Sequence, residues 1–437
     1  MKDFLITEFG ARECDKMQTA EIQAALDACF LAGGGRVIVP CGLFYTGGLR
    51  LRSNTTLYLE SGAILRASRN YLDYMAYRED KIEPLKEPSE EILAVLKRDA
   101  HPYSDWNSGL IKVISARNVS IIGERGSYID GQDCYNPNGE GGCRGPHAIN
   151  MFDVENITLE GYTVINSANW AHNIYNSKNI TARNLKVLGG HDGFDVRSCD
   201  DITVEDCIFK TGDDAIAGFD NKNVTIKRCV FDCACSALRF GGTDVLIEDC
   251  KGFAPSSYGF RMHLLSDELR SGMPTNENCR HTMHTPFQYY CDFRARVRYI
   301  PGNIVIRDCD FENPNALLLY PYDGMHRWCC NRPLSSLRFE NCRITGLSLP
   351  AVICSDTEEP LELVMKNCLI SSREDGADFP IFEAVRYKRI VFENVEIKGF
   401  SDPYAVVDST DRVTVLGGDS IKLTVSNELP SGLAVIP

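Results

Sequence analysis

The sequence predicts an all-β protein, a single-stranded right-handed parallel β-helix with an N-terminal capping α-helix. Three observations predict it: a short repeat with a period near 22 residues, a cysteine column in register with that repeat, and helical periodicity near the N-terminus that ends in three glycines.

The repeat begins with Asn or Asp and continues with alternating apolar and polar residues. It stands at Asn156-Ile-Thr-Leu, Asn179-Ile-Thr-Ala, Asp201-Ile-Thr-Val, Asn223-Val-Thr-Ile and Asp244-Val-Leu-Ile, with successive starts 23, 22, 22 and 21 residues apart. It resumes at Asn303, Ser336 and Glu362, with a weaker copy at Arg389. These segments are rich in β-branched residues and alternate with period two, so they read as strands rather than helical repeats. Coils of this length, stacked about 4.8 Å apart, make a parallel β-helix, and the crossover preference of parallel strands makes it right-handed. Six positions after six of the anchors stand Cys207, Cys229, Cys250, Cys309, Cys342 and Cys368. A column of small apolar groups inside the stack accounts for them better than a redox or metal role.

The remaining elements are read in chain order. Residues 17–32 read as an amphipathic helix with Ile22, Ala25, Leu26, Cys29 and Phe30 on one face, terminated by Gly33-Gly34-Gly35. A stack of strands has open ends that need a cover, and this helix is expected to be the N-terminal one. Strands are expected at 36–40, 49–51, 56–59 and 119–122. Residues 71–107 lack the anchor and read as an excursion with a helix near Pro88 to Arg98. Further excursions are expected at 264–302 and 321–333. Such insertions tend to gather on one face and shape a binding site.

Regular all-β architectures can run to several hundred residues as one unit, so residues 1–437 are read as a single domain. Hydrophobic residues at 44% and charged residues at 24% are those of a folded soluble chain. No run reaches the roughly 18 apolar residues of a spanning helix. Lys plus Arg total 46 against 60 Asp plus Glu, and a formal charge of −14 argues against nucleic acid or an anionic membrane as partner. The first ten residues lack the layout of an export signal. Nineteen cysteines, odd in number and spread along the chain, do not form a secreted disulfide framework. A cytoplasmic location is expected, with the cysteines as thiols.

Counting thirteen positions from successive anchors gives Asn169, Asp192, Asp214 and Ser236, and counting sixteen gives His172, Asp195, Ala217 and Arg239. Asp213 directly precedes Asp214. Acidic groups therefore accumulate on two adjacent coils. Like charges held close raise the proton affinity of at least one member. Glycoside hydrolysis needs one protonated carboxyl and one carboxylate, and this cluster supplies both. Aspartates that cap turns, a calcium site and solvated surface charge are the competing readings of the same residues.

The residues also resemble glycoside hydrolase family 28, which contains polygalacturonases and rhamnogalacturonases. The likeness runs through Phe9-Gly10-Ala11, Gly33 to Pro40, Leu51 to Leu57 and Ile129-Asp130-Gly131-Gln132, which are features shared with other β-helix carbohydrate enzymes. It is most specific at His191-Asp192-Gly193-Phe194-Asp195 and Gly212-Asp213-Asp214-Ala215-Ile216-Ala217. The resemblance implies that Asp213 is the general acid, that Asp192 and Asp214 hold and deprotonate the attacking water, and that the anomeric centre inverts. It implies no cofactor and no metal.

Two blocks depart from the pattern. Where the family carries Gly-His-Gly, this chain has Cys235-Ser236-Ala237, and where it carries Arg-Ile-Lys, this chain has Arg261-Met262-His263. Serine cannot tune a carboxyl as an imidazolium does, and histidine is a weaker anchor than lysine for a sugar carboxylate. His172 and His191 are candidates to substitute in space, Trp170 to stack on a sugar, and Arg239, Arg144 and His147 to line the cleft. The run Cys279, His281, His284 and Cys291 reads as a loop over the cleft, with Tyr289, Tyr290, Arg294, Arg296 and Arg298, or as a structural zinc site. The leading expectation is an exo-acting hydrolase of pectin-derived or related oligosaccharides. A β-helix lyase and a non-catalytic carbohydrate-binding β-helix are the alternatives, separated by unsaturated products and by binding without turnover.

Overall fold

The computed structural model describes residues 2–14, 16–74, 108–263, 279–292, 298–322 and 328–431. The chain divides into two compact units, Met1–Asp213 with Gly259–Arg280, and Asp214–Tyr258 with His281–Pro437. Both are built of parallel-paired strands, and the fold is the right-handed parallel β-helix.

In the first unit one interior column runs Val37, Leu57, Ile121, Leu159, Ala182 and Val204, each opposite the next across a parallel pair and each buried. In the second unit the equivalent column is Ile226, Ile247, Ile306, Phe339, Met365 and Phe392. Period-two alternation keeps such residues inward and their neighbours outward.

The structure explains why each repeat opens on Asn or Asp. Asn156, Asn179 and Asp201 in the first unit, and Asn223, Asp244 and Asn303 in the second, have φ between 51° and 62°. This left-handed bend turns the chain at a coil corner, and Asn and Asp tolerate it better than other residues with a Cβ. The amides also ladder: Asn179 Nδ2 donates to Asn156 Oδ1 at 2.8 Å, and Asn156 Nδ2 to Asn118 Oδ1 at 2.9 Å. The cysteine column forms a second ladder. In the second unit Cys229 N donates to Cys250 Sγ at 3.5 Å and Cys250 N to Cys309 Sγ at 3.4 Å. Hydrogen bonding with Cys309 and burial push the Cys342 thiol up to about 12, so the column is thiol rather than thiolate.

The capping helix spans Thr19–Leu31, two residues shorter at its start than expected, and buries Ile22, Ala25, Leu26 and Cys29. Gly33 N and Gly34 N donate back to Phe30 O and Cys29 O, both at 2.9 Å. Gly33, at φ 89°, supplies the left-handed residue that closes the helix. Strands form at Gly35–Val39, Leu49–Leu51, Thr55–Leu59 and Gly109–Gly123, with two unexpected ones at Gly42–Thr46 and Ala63–Ala67.

The helix expected near Pro88 to Arg98 lies outside the described residues. The expected excursion 264–302 contains a strand, Phe287–Tyr289, in register with Leu238–Phe240 on one side and Leu318–Leu319 on the other. Its three residues lack the Asn/Asp anchor, and cross-strand pairing forms the strand without that corner. Among the described residues no helix is long and apolar enough to cross a membrane.

Candidate active site

In the first unit three successive turns stack. Gly212 N donates to Gly190 O at 3.1 Å, His191 N to Asn169 O at 3.3 Å and Ala171 N to Asp192 O at 2.9 Å. The contact is close enough to demand glycine: a Cβ on Gly212 would lie 2.8 Å from Gly190 O and 2.7 Å from Gly259 O. This stacking brings the turns that carry Asp192 and Asp213 together. Both aspartates are buried, with 4% and 7% of their surface exposed.

Asp213 Oδ2 lies 3.2 Å from Arg144 Nη2. The guanidinium is held in turn by Asn169 Oδ1 at 3.1 Å and lies 3.5 Å from Glu140. Burial opposes the Arg144 charge, but Asp213, Glu140 and Asp192 carry its pKa above the ordinary arginine range. His191 Nδ1 stands 3.9 Å from Asp213 Oδ2, beyond a direct hydrogen bond. Burial, with Arg144 beside it, pushes His191 down to about 3, so it is a neutral imidazole.

Arg261 N donates to Gly212 O at 2.8 Å, and its guanidinium pairs with buried Asp133. Burial raises the Asp133 pKa against the pull of Arg261. Arg261 therefore braces the Asp213 turn and has a carboxylate of its own. His263 follows in the same short helical turn, Arg261–His263.

His172 lies elsewhere. The register sets Asn173, not His172, opposite Asp195, because the turn after Ile165 carries one residue more than the turn after Leu188. One residue of slip exchanges the two faces of a strand. His172 is consequently interior: its Nδ1 donates to Gly193 O and its Nε2 accepts from Tyr162 Oη, both at 2.9 Å. Burial pushes it down to about 4. It supports the Asp192 turn through Gly193 rather than meeting solvent. Trp170 has the Arg197 guanidinium 4.8 Å above its ring and His147 5.3 Å away, both in a buried cluster. Arg197, fully buried against Asp195 at 3.0 Å, was not singled out from the sequence, since nothing local marks an interior ion pair.

In the second unit Asp214 is fully buried. Its Oδ1 accepts from Ser236 N at 2.8 Å and its Oδ2 lies 3.3 Å from Arg239 Nη1. Two donors, one cationic, stabilise negative charge on this carboxylate. Ser236 thus serves Asp214 through its backbone, while its hydroxyl donates to Gln288 Oε1 at 3.0 Å. Arg239 is layered with Tyr290 and Trp328, 4.3 and 5.1 Å from the ring centres. Gln288 and Trp328 escaped the sequence reading because both come from segments that lack the anchor. The signal available for Gln288 was its place in an alternating Phe-Gln-Tyr run.

The proposed zinc ligands turn to separate partners: Cys279 Sγ to Phe260 O, His281 Nδ1 to Ser256 O and His284 Nδ1 to Cys235 Sγ. Arg298 pairs with Asp220 at 3.2 Å. Arg294 and Arg296 lie outside the described residues.

Comparison with known proteins gives the same direction as the motifs. A sequence profile described as glycosyl hydrolases family 28 matches residues 86–235. A probable polygalacturonase of Vitis vinifera is 30% identical over 195 residues, covering 42% of this chain and 37% of that protein. The exo-poly-alpha-D-galacturonosidase of Dickeya chrysanthemi is 35% identical over 128 residues, 29% of this chain and 19% of that one. The chain therefore aligns with well under half the length of these curated relatives. Among solved structures, the family 28 exopolygalacturonase of Yersinia enterocolitica superposes with a TM-score of 0.59 at 17% identity, over 98% of this chain and 79% of that one, a likeness of fold.

Proposed function

The chain belongs to glycoside hydrolase family 28, and from that premise we propose that it is an inverting, exo-acting glycosidase that removes a terminal sugar from pectin-derived or related oligosaccharides. The observation that carries the reading is the stacked pair of turns presenting Asp192 and Asp213, held by Gly212 against Gly190.

Asp213 donates a proton to the leaving glycosidic oxygen as the bond to the anomeric carbon breaks. A water molecule adds its oxygen to that carbon and gives its proton to Asp192 or Asp214. Asp214, held by Ser236 N and Arg239, suits the ionised partner. The exo assignment is supported by the name of the Dickeya relative. A reducing, cytoplasmic setting is part of the same proposal, and nineteen free cysteines support it.

Reducing ends and product stereochemistry released from defined oligogalacturonides test the reading. Asp213→Asn is expected to lower turnover by about 10²- to 10⁴-fold, and wild-type protein is expected to yield the inverted anomer first. Undiminished turnover in that variant removes Asp213 as the acid, and unsaturated products assign a lyase instead.

A further inference from the structure

The second unit holds a buried amide whose donors the protein leaves unused. Gln288 lies in the strand Phe287–Tyr289, between two interior side chains exposed by 0% and 1%, and so points to the outer face of the coil. Its register partner on the neighbouring strand is Arg239, which sets the two residues about 4.8 Å apart. A short chain of contacts joins it to Asp214. Ser236 N donates to Asp214 Oδ1 at 2.8 Å, Ser236 Oγ donates to Gln288 Oε1 at 3.0 Å, and Arg239 Nη1 lies 3.3 Å from Asp214 Oδ2.

Gln288 is only 7% exposed. With its oxygen taken by Ser236, the amide has only N–H donors left to offer. Its nitrogen donates to nothing among the described residues, yet it is not sealed from solvent. Polar side chains buried this deeply are nearly always matched, and a few such fixed polar groups are what orient a ligand in a site. On its other side Gln288 meets Leu319, which clusters with Ala316 and Val352. That apolar wall disfavours an anion, and Arg239 is held by Asp214. The acceptor that fits a neutral donor in this place is a neutral oxygen.

We propose that Gln288 is a specificity-determining residue that donates a hydrogen bond to one hydroxyl of the sugar bound against Asp214. The inference rests on the glycosidase reading above and deepens it: the enzyme selects its sugar by the place and configuration of a hydroxyl group. Ser236 is the positioning residue of the pair, since its hydroxyl fixes which end of the amide faces the sugar. A sugar without that hydroxyl, or with it on the opposite face, leaves the donor desolvated and unmatched, and is rejected.

The test measures kcat/KM for digalacturonate and for analogues in which one hydroxyl of the non-reducing residue is replaced by hydrogen or by fluorine. Comparing the same analogue between proteins cancels its intrinsic reactivity. In the wild type one deoxy analogue should lose on the order of ten- to a hundredfold. Gln288→Met should lose about as much on digalacturonate and be nearly indifferent to that hydroxyl, as residues that interact directly are. Fluorine accepts a hydrogen bond but cannot donate one. The fluoro analogue at that carbon should therefore recover part of the loss in the wild type and none in Gln288→Glu, whose carboxylate still accepts from Ser236 but offers no N–H. Ser236→Ala should blunt the preference without erasing it.

Equal losses for every analogue in Gln288→Met, or a Gln288→Glu protein that matches the wild type on the fluoro series, would make Gln288 a support for Ser236 alone and overturn the proposal while leaving hydrolysis in place. Calorimetric binding of galacturonate and its deoxy forms reads the same coupling without turnover. Binding that depends on one hydroxyl in the wild type and loses that dependence in Gln288→Met sustains the proposal even if digalacturonate is not hydrolysed, an outcome that strikes the glycosidase reading alone. Absence of both binding and turnover overturns the two together.

Discussion

Two of the buried histidines of the first unit, His172 and His191, carry a cost that appears only in acid. His191 and His172 are depressed to about 3 and about 4 by burial, whereas an unfolded histidine titrates near 6.5. Above that value both states are neutral and the full stability is present. As pH falls below it, the unfolded chain binds protons that the native chain refuses, so stability is lost progressively from about pH 6.5 towards 4. Each histidine contributes at most about 1.4 kcal/mol per pH unit in that window. Denaturant unfolding at neutral and mildly acid pH should show the slope, and His191→Gln should flatten it by up to that amount. An unchanged slope in the variant would mean that His191 protonates freely in the native state.

At the level of the element, the corner residues do more than mark a repeat. Asn179 combines φ of 57° with an amide bonded to Asn156. Alanine there loses the bond and must adopt a left-handed conformation, at a cost of about 1–2 kcal/mol. Asn179→Gly should be milder than Asn179→Ala in thermal or denaturant unfolding, because glycine meets the dihedral without strain. Equal losses in the two variants would assign the stability to the amide ladder alone, and the reverse order would rule out the left-handed strain. Elements that lack such corners were the ones missed or misread. Phe287–Tyr289 pairs by register with strands far away in sequence, and no local signal requires it. The single extra residue in the turn before His172 passed unnoticed for the same reason, since a count from the anchor assumes equal turns.

Over the whole molecule the nineteen cysteines are free, and most are ladder or core groups. Cys41 is exposed, and Cys14, Cys143, Cys279 and Cys330 are half-buried. Thiol titration with a chromogenic disulfide should detect Cys41 rapidly in the native protein, no more than these five on a longer timescale, and all nineteen after denaturation. A smaller total after denaturation would reveal a disulfide and argue against a reducing setting. A strong native excess over five would mean that coils of the stack open.

What the sequence by itself determined was whatever repeats along the chain. Period-two alternation specifies strands, a corner residue every 22 or so positions specifies coils, and identical spacing puts Cys250 beside Cys309 without reference to anything distant. The aspartates Asp192, Asp213 and Asp214 were legible for the same reason, because they sit in turns counted from those corners. Only the tertiary structure decided which partners these carboxylates meet. Arg144 is 69 residues from Asp213 and Arg261 is 128 from Asp133, and the charge state of an acid depends on the groups a few ångströms away in space rather than on its neighbours along the chain.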